Sequence, residues 1–590
     1  MAAIVLIVAI AIVVIGYQAY AAKMDKEVIQ ANPKKATPAT LYNDGVDFMP
    51  ASGSVLFGYQ FKSIAALGPI VGPIVAVQWG WLPTFLWLML GVFFIGWVQD
   101  YASAMMAMRN DGLTMGGLAY KFISPRARGI LLAFLYFYLL LIMGAFGAVV
   151  AGLLAIPVVP VGLFILTLAG VLAGQMTYRW KMDLVMTTVI TVLIALIGIW
   201  LGTMPWAKNL VNSINSLAGT GPKHILYNTP YGPMTWPQFF WGIVALAFCY
   251  LGSVLAIWRF AQPVNYVSFW FVALGLLGSI LGVFVAAIFK TTNVAFQIPA
   301  YVTWNQPKLG WLWPILFVTV SCGAISGWHS LVSTAGTARQ LEKETDALPV
   351  GAGAMFTEAI LATMALIFAA TALTKGNTVL YDANHMYFLK VKAGAIWAYG
   401  MSRFLSWIPG ISPSMGAAIG AIFLAVMALT VMQLVLRFMR VASAELVGDK
   451  IPAFKNPHVG TIVAILFTFL ILWTAFWQRI WVLFGGANQL FAGLALLLIT
   501  IWLANEGKKH GWVFWPMVFM YVTTVTALLV TAWKSFRHMM TANISAAFAF
   551  GDLVAGVIAL FLALAAVILA YDGFKSLAKA RAKAASHAGN

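Results

Sequence analysis

Residues 64 to 73 read Ile64-Ala-Ala-Leu-Gly-Pro-Ile-Val-Gly-Pro73 and place two Gly-Pro pairs inside a hydrophobic segment long enough to cross a membrane. The pairs are Gly68-Pro69 and Gly72-Pro73. Each proline lacks the amide N–H of a regular helix and displaces the carbonyl four residues earlier. In hydrocarbon an unpartnered carbonyl is tolerated only where protein, water or a ligand satisfies it. The alternatives are a packed proline kink and a discontinuous helix that forms a substrate site, and the repeated pair favours the site.

A second candidate break is Ser321-Cys-Gly-Ala-Ile-Ser-Gly-Trp-His-Ser330. Gly323 and Gly327 stand one helical turn apart in it, with Ser326 and His329 beside them. Small residues at this spacing permit either close helix packing or unwinding, and the pattern alone leaves both open. The imidazole of His329 favours a site, because at membrane depth it is costly unless it is hydrogen-bonded or used.

The composition places the whole chain in a membrane. Of its 590 residues, 62% are hydrophobic and 9% are charged, whereas a soluble domain carries about 25% charged residues. The net charge of +18 fits basic loops that orient the spans and meet anionic membrane lipid, so it requires no nucleic-acid partner. These values exclude a soluble enzyme and a soluble protein with one membrane anchor.

Apolar runs of about 20 residues predict an all-α polytopic membrane protein with about fifteen transmembrane helices. The basic tail predicts a cytoplasmic C-terminus, and an odd number of spans then predicts a periplasmic N-terminus. Lys62 is counted among the basic residues of the cytoplasmic loop before the second span. The predicted spans are 1–21, 62–80, 82–108, 129–156, 158–175, 183–204, 237–258, 266–289, 311–336, 352–374, 412–436, 459–477, 480–504, 511–533 and 548–571.

The positions of the two candidate breaks predict an inverted repeat. They fall in the second and ninth predicted spans, which run in opposite directions across the bilayer. The predicted division is a leading helix and cytoplasmic loop at 1–61, a first repeat at 62–310, a second repeat at 311–574 and a basic cytoplasmic tail at 575–590. No repeat is visible at the level of single residues, so this prediction rests on parity and spacing.

Few ionisable side chains lie within the predicted spans, where an ionised group costs about 2.5 to 3.5 kcal/mol. Asp100 is the first candidate for proton coupling and Glu358 the second. The structural alternatives are an ion pair of Asp100 with Arg109 or Arg259, and a cap or pair of Glu358 near the membrane surface.

The amides of Asn488 and Gln489 follow Phe484-Gly-Gly-Ala487, a pattern that indicates a locally loosened helix. Such amides either bond between helices or line a path, and both alternatives stay open. The candidate substrate-binding residues are therefore Gly68, Pro69, Gly72, Pro73, Gly323, Ser326, Gly327, His329, Asn488 and Gln489.

Taken together, these segments resemble the carbon starvation protein A family of bacterial inner-membrane transporters. The resemblance implies uptake of peptides during nutrient limitation, with members similar to proton-coupled pyruvate importers. It also implies an inverted-repeat, LeuT-like core with broken helices, as in the amino acid-polyamine-organocation superfamily. The matching segments are Asp47-Phe-Met-Pro50, Leu56-Phe-Gly58, Ser63-Ile-Ala65, Gly68-Pro-Ile-Val-Gly-Pro73, Gly80-Trp-Leu-Pro83, Phe94-Ile-Gly96, Asp100, Ser321-Cys-Gly-Ala-Ile-Ser-Gly327, Glu358, Leu483-Phe-Gly-Gly-Ala-Asn-Gln-Leu490 and Pro516-Met-Val-Phe-Met520.

Three segments depart from the family pattern at titratable or ion-binding positions. Gly58-Tyr-Gln-Phe61 stands where the family has Gly-His-His-Phe, and Gln99-Asp100 stands for a His-Asp pair. Met432-Gln-Leu434 stands for a Leu-Asp-Thr segment. The chain keeps Asp100 and Glu358.

The sequence thus predicts an inner-membrane secondary transporter that imports short peptides, with a proton-coupled pyruvate or small-carboxylate symporter as the alternative. Backbone amides near 68–72 and 323–327 would receive the substrate's carboxylate. A channel is disfavoured because the sequence has no repeated charged ring or filter signature. A single histidine within the spans excludes a bis-His haem site, and no His-Glu-x-x-His motif is present. We expect no catalytic residue, cofactor or metal, and the sequence does not fix the oligomeric state.

Overall fold

In a computed structural model, the chain forms a bundle of long α-helices. The structure describes residues 1–219, 224–289, 294–372, 381–382, 388–389, 391–541 and 544–588. Among these residues, twelve helices are long and apolar enough to cross a membrane, or up to thirteen if one bent pair counts as a span. They confirm the predicted all-α polytopic fold. The twelve are Ala2–Ile29, Trp81–Met108, Pro125–Leu154, Pro160–Arg179, Leu184–Gly202, Trp236–Val254, Ala261–Ile288, Glu344–Ala372, Pro413–Val447, Trp477–Asn505, Gly511–Met539 and Ala546–Lys583.

The predicted number of about fifteen spans is too high, compared with the twelve or thirteen helices of sufficient length and apolarity among the described residues. The bent pair consists of Gly53–Ile64 and Gly68–Trp79, which meet at 44°. Of the remaining predicted spans, 311–336 is divided into short helical pieces, and 459–477 corresponds to Pro457–Trp473, which has 17 residues. Hydropathy measures the length of an apolar run, and the run stays apolar where the helix within it is short or broken.

Shorter elements connect the spans. They include the helices Pro38–Leu41, Met115–Phe122, Pro205–Asn215, Ala393–Leu405 and Pro452–Lys455, and the pieces Leu312–Leu316, Phe317–Thr319, Gly327–Leu331, Val332–Gly336 and Thr337–Arg339. Three two-stranded antiparallel hairpins pair Ile225–Thr229 with Gly232–Thr235, Asn305–Gln306 with Gly310–Trp311, and Tyr381–Asp382 with Phe388–Leu389.

Proline and a polar residue before it fix where several spans begin. The side chain of Ser124 accepts a hydrogen bond from the amide of Ala127, and Pro125 occupies the first turn. Ser412 and Pro413 start another helix in the same way. A proline in the first turn has no helical N–H to lose, and the serine oxygen satisfies one of the amides that lack a helical partner.

Three long helices form the centre of the bundle. In the most apolar part of Pro413–Val447, Trp477–Asn505 and Glu344–Ala372, 94%, 89% and 83% of the residues are buried, against 28% for Ala2–Ile29 and for Leu184–Gly202. Two interrupted segments pack against this centre. We call Gly53–Ile64 with Gly68–Trp79 the first discontinuous span, and 312–336 the second discontinuous span.

Candidate functional site

The first discontinuous span is broken at residues 65–67, directly before the first Gly-Pro pair. Gly68 and Pro69 begin its second half-helix, and Pro73 lies inside that helix. Proline is tolerated in a first turn because no helical partner is lost there. The predicted break is confirmed, but it lies just upstream of the Gly-Pro pairs and not within them.

The second discontinuous span is unwound over residues 320–326, between Thr319 and Gly327. Ser326 is extended, and Gly323 has a φ of +79°, a left-handed conformation that glycine adopts without steric cost. Of the two alternatives that the sequence left open at this segment, unwinding is therefore the one observed. Close packing accompanies it.

The two discontinuous spans are in direct contact near their breaks. A Cβ atom added to Gly68 would overlap Cys322 Sγ, and one added to Gly72 would lie 2.8 Å from the carbonyl oxygen of Thr319. The glycines of the first span thus allow its backbone to lie against the unwound part of the second. This contact brings together the two breaks that the sequence predicted separately.

Asp100, His329 and Glu358 form one buried cluster directly after the second break. His329 Nδ1 lies 3.1 Å from Asp100 Oδ2, and His329 Nε2 lies 3.2 Å from Glu358 Oε2. None of the three side chains is more than 1% exposed. They come from Trp81–Met108, from the short helix after the second break and from Glu344–Ala372, so the cluster exists only in the assembled bundle.

The chemistry of this cluster depends on how many protons it holds. A neutral imidazole donates from one nitrogen and accepts at the other, whereas an imidazolium donates from both. His329 Nδ1 forms a hydrogen bond with Asp100 Oδ2, whereas Nε2 faces Glu358 Oε2 at 3.2 Å without hydrogen-bond geometry. Asp100 Oδ1 and both oxygens of Glu358 have no hydrogen-bond partner among the described residues. The cluster therefore places three groups that can bind a proton next to one another.

The structural alternative for Asp100, an ion pair with Arg109 or Arg259, is wrong. Arg109 bonds to Glu344 at 3.0 Å, and Arg259 stacks over the ring of Trp258. Asp100 instead contacts His329, and Glu358 is fully buried and faces the same imidazole. Gln99, the neighbour of Asp100, donates to the carbonyl of Ser326 at 2.7 Å and so ties the same helix to the second break.

Asn488 holds the unwound segment in place. Its Oδ1 accepts from the hydroxyl of Tyr138 at 2.6 Å, from the amide of Trp328 at 3.1 Å and from the hydroxyl of Ser326 at 3.1 Å. Its Nδ2 donates to the carbonyl of Ser321 at 3.1 Å. One amide side chain thus bonds to both ends of the break and to the helix Pro125–Leu154.

The expected loosening of the helix before Asn488 is wrong. Phe484–Asn505 is α-helical throughout, and a Cβ atom on Gly485 would overlap the carbonyl oxygen of Val318. The glycines instead allow this helix to pack closely against the second discontinuous span, because small residues permit close packing as well as unwinding. Gln489 bonds between helices, with its Nε2 3.3 Å from the carbonyl of Phe317.

Lys62 is the first residue of the predicted span 62–80 and is counted with the cytoplasmic loop before it, and that count is wrong. The structure places it in the last turn of Gly53–Ile64, with its side chain fully buried. Its Nζ lies 2.7 Å from Thr430 Oγ1 and 3.5 Å from the carbonyl of Met427. A signal was present in the sequence, since Lys62 is the single charged residue between Asp47 and Asp100.

One group of side chains has the donor types of a metal site. Ligand atoms of Cys322, His329 and Glu358 lie within 4.8 Å of one another, and sulfur, nitrogen and oxygen donors together suit zinc. In the geometry observed, each ring nitrogen of His329 faces a carboxylate oxygen, and Nδ1 forms a hydrogen bond with Asp100. The expected absence of a metal stays a prediction.

These features define a polytopic helical membrane protein with a buried polar site between two discontinuous spans. The chain belongs to the family of the carbon starvation protein CstA, whose family model matches residues 1–388 and 377–527. The family predicted by resemblance is thereby confirmed.

Relatives with assigned functions match along most of the chain. The peptide transporter CstA of Campylobacter jejuni is 27% identical over 581 residues, which cover 88% of this chain and 78% of the relative. The peptide transporter CstA of Escherichia coli is 26% identical, with 89% and 80% covered. The pyruvate/proton symporter BtsT of Escherichia coli is 25% identical, with 91% and 82% covered.

Among solved structures, similar chains include a manganese transporter of Eremococcus coleocola, with a TM-score of 0.43 and 12% identity over 91% of this chain and 99% of that one. MhsT in complex with L-phenylalanine also has a TM-score of 0.43 and 12% identity, over 89% of this chain and 99% of that one.

Proposed function

We propose that the protein is a bacterial inner-membrane secondary transporter that imports short peptides when carbon is limiting. The observation that carries the proposal is the buried cluster of Asp100, His329 and Glu358 beside two discontinuous spans that contact each other. Discontinuous helices supply unpaired backbone groups for a substrate, and ionisable groups inside a membrane are costly unless they are used. Membership in the CstA family and relatives named peptide transporters support the same function.

The substrate's carboxylate would meet backbone amides at the two breaks. Half-helices begin at Gly68 and at Gly327, and the N-terminus of a helix favours an anion. Pro69, Pro73 and Gly72 shape the first of these ends, and Gly323 and Ser326 shape the second. In the described conformation the amide of Trp328 already donates to Asn488, so a carboxylate at this end would compete with that amide side chain.

Proton coupling would run through the buried cluster. Asp100 is the first coupling group and Glu358 the second, with His329 between them as the bridge. A proton that binds to either carboxyl group changes which contacts the imidazole can make, and those contacts join three different helices. Protonation would therefore alter how the second discontinuous span is held.

A proton-coupled pyruvate or small-carboxylate symporter is the second candidate. The buried cluster favours it, because a group that carries a proton is what such a symporter needs. The relative named pyruvate/proton symporter BtsT covers 91% of this chain. A 2-oxo acid and a peptide C-terminus share the carboxylate, so the same helix ends would serve either substrate.

The proposed orientation places the C-terminal tail in the cytoplasm and the N-terminus in the periplasm. Lys575, Lys579, Arg581 and Lys583 supply the basic charge that favours the cytoplasmic side. We keep the division into repeats at 62–310 and 311–574 as part of the proposal, with one discontinuous span in each. Labelling of single cysteines introduced near each terminus by a membrane-impermeant reagent in intact cells would test the orientation.

The test of the function is uptake into proteoliposomes of labelled dipeptide and of labelled pyruvate, each with and without an inward proton gradient. Saturable peptide uptake would support the first candidate. Saturable pyruvate uptake that requires the gradient would support the second. Uptake of neither substrate by active, correctly reconstituted protein would contradict both.

A further inference from the structure

Lys62 is a fully buried cation inside the membrane-spanning bundle. It lies three residues before the break in the first discontinuous span, and its side chain has no exposed surface. Its ammonium group donates to the hydroxyl of Thr430 at 2.7 Å and approaches the carbonyl of Met427 at 3.5 Å. Both partners belong to Pro413–Val447, one of the three central helices.

No carboxylate lies within ion-pair distance of Lys62 among the residues that the structure describes. The negative charges on both sides of it in the sequence are engaged elsewhere, Asp47 with Arg437 and Arg440, and Asp100 with His329. An ionised lysine in such a place is costly without a counter-ion. An anion that enters and leaves during transport would supply one.

Other buried polar side chains lie near Lys62 or its partner Thr430 in the sequence. Tyr59 and Ser63 lie one turn apart on the same half-helix, and their hydroxyls face each other, with Gln340 also facing that of Tyr59. Gln433 follows Thr430 by one turn, and its buried amide lies against Gly252 of Trp236–Val254. These groups are uncharged, so none of them supplies a counter-ion for Lys62.

We propose that Lys62, with Thr430, forms an anion subsite that binds the carboxylate of the transported substrate as it passes the first discontinuous span. An ammonium group has three donors, and the two oxygens that it meets leave one for a carboxylate oxygen. This inference deepens the proposed function and rests on it. It adds a requirement, namely that the substrate carries a free carboxylate, whether it is a peptide or a 2-oxo acid.

The proposed subsite also keeps the positive charge of Lys62 apart from the carboxyl groups of the buried cluster. The cation belongs to the first discontinuous span, whereas the carboxyl groups of Asp100 and Glu358 face His329 of the second. The substrate anion and the coupling proton would therefore meet different side chains. A lysine, as a compact charge on a flexible stem, suits an anion that must bind and leave.

The test measures anion binding by the purified full-length protein in detergent, through the shift in its thermal unfolding midpoint. The ligands are pyruvate and a dipeptide, each compared with its uncharged amide, pyruvamide or the C-terminally amidated dipeptide, at constant ionic strength in sodium chloride. The variant is Lys62→Met, which keeps the length of the side chain and removes the charge. The matched control is Lys450→Met, which removes an exposed positive charge near the end of Pro413–Val447.

We expect the free acids to stabilise the wild type and Lys450→Met, and the amides to have little effect. In Lys62→Met the apparent Kd for the acids should rise at least about tenfold, equivalent to about 1.4 kcal/mol. Unchanged acid binding by Lys62→Met would overturn the inference, as would equal stabilisation of the wild type by acids and amides, a result that does not depend on the variant folding.

Uptake in proteoliposomes distinguishes this failure from failure of the proposed function. If the wild type transports a carboxylate substrate and Lys62→Met transports it with the same KM, the anion subsite is wrong and the transporter stands. If the wild type takes up neither peptide nor pyruvate, the proposed function fails and the inference fails with it.

Discussion

The two discontinuous spans differ in how they are interrupted and in what holds them. The first loses helical structure over residues 65–67 only, and two Gly-Pro pairs follow the break. The second is unwound over 320–326 and is held by side chains, chiefly Asn488, and by the contacts of His329 with two carboxyl groups. The first break is therefore fixed by backbone packing, and the second by a polar network.

This difference indicates a division of labour. A network of hydrogen bonds can change when one proton moves, because each donor or acceptor that it gains or loses alters its neighbours. Close glycine packing does not respond to protons. We therefore expect the second discontinuous span to respond to protonation, and the first to provide a fixed surface against which it moves.

Of the variants that test this difference between the two spans, Asp100→Asn should have the largest effect, which is on proton-driven uptake. Asparagine keeps the shape of the side chain but cannot bind or release a proton near neutral pH, so uptake should no longer respond to an inward proton gradient. Exchange of internal for external substrate should persist, since it needs no net proton movement. The measurement is gradient-driven uptake and exchange in the same proteoliposomes.

Asp183→Asn is the matched control for that variant. Asp183 accepts from the amide of Met186 at the exposed start of Leu184–Gly202, and its carboxylate has no contact with the cluster. It should retain gradient-driven uptake. If Asp100→Asn also retains it in full, Asp100 is not the coupling group, and Glu358→Gln becomes the variant to measure.

Asn488→Ala should lower the free energy of unfolding by about 3 kcal/mol, because buried donors that lose their acceptor retain the cost of desolvation. The groups affected are the hydroxyl of Tyr138, the amide of Trp328 and the hydroxyl of Ser326. Denaturant titration in mixed micelles would measure it. Gln489→Ala is the control and should cost about 1 kcal/mol, since that side chain makes one bond of 3.3 Å. Equal costs would show that the second break does not depend on Asn488.

The sequence predicts much of this arrangement, because proline, glycine and hydropathy act locally. The Gly-Pro pairs mark the first break to within a few residues, since the chain must leave the helix before Pro69. The apolar runs give the class of fold for the same reason. They overestimate the number of continuous spans, because the unwound residues 320–326 are part of an apolar run and hydropathy does not distinguish them from helix.

The partners within the site could not be predicted, because they are set by tertiary packing. Asp100 and His329 are 229 residues apart in the chain, and nothing local indicates that the imidazole bridges this carboxyl group to Glu358. Arg109 is nearer in sequence and was the more obvious partner for Asp100. Lys62 was misplaced for a related reason, because a charge next to an apolar run is ordinarily taken as its end.

Asp47→Asn tests the ion pairs that anchor the chain before the first discontinuous span. The variant should lower the free energy of unfolding by roughly 2 kcal/mol. Burial acts to raise the pKa of Asp47, but the guanidinium groups of Arg437 and Arg440 outweigh it and lower the pKa from 3.8 to about 2. Because the folded-state pKa is lowered, the carboxylate stabilises the fold above pH 3.8, and this contribution is lost as the pH falls towards 2. The measurement is the free energy of unfolding of both proteins near pH 6 and near pH 2.

Asp449→Asn is the control for the loss of a surface charge. Asp449 pairs with Lys455 at 3.4 Å, and 86% of its side chain is exposed, so the variant should match the wild type at both pH values. A difference between Asp47→Asn and the wild type that stays the same near pH 2 would contradict the ion pair with Arg437 and Arg440.

Gly68→Ala gives the smallest expected effect and tests the contact between the two spans. The added methyl group would overlap Cys322 Sγ, so the variant should lose about 1 to 2 kcal/mol of stability. Gly129→Ala is the matched control: no atom lies within 4 Å of its added Cβ, and alanine favours the helix, so stability should hold or rise slightly. Cys322→Ala combined with Gly68→Ala should restore part of the loss, because it removes the sulfur that the methyl group meets. If Gly68→Ala is as stable as the wild type, the spans are not in fixed contact at this glycine, and the first break is as adjustable as the second.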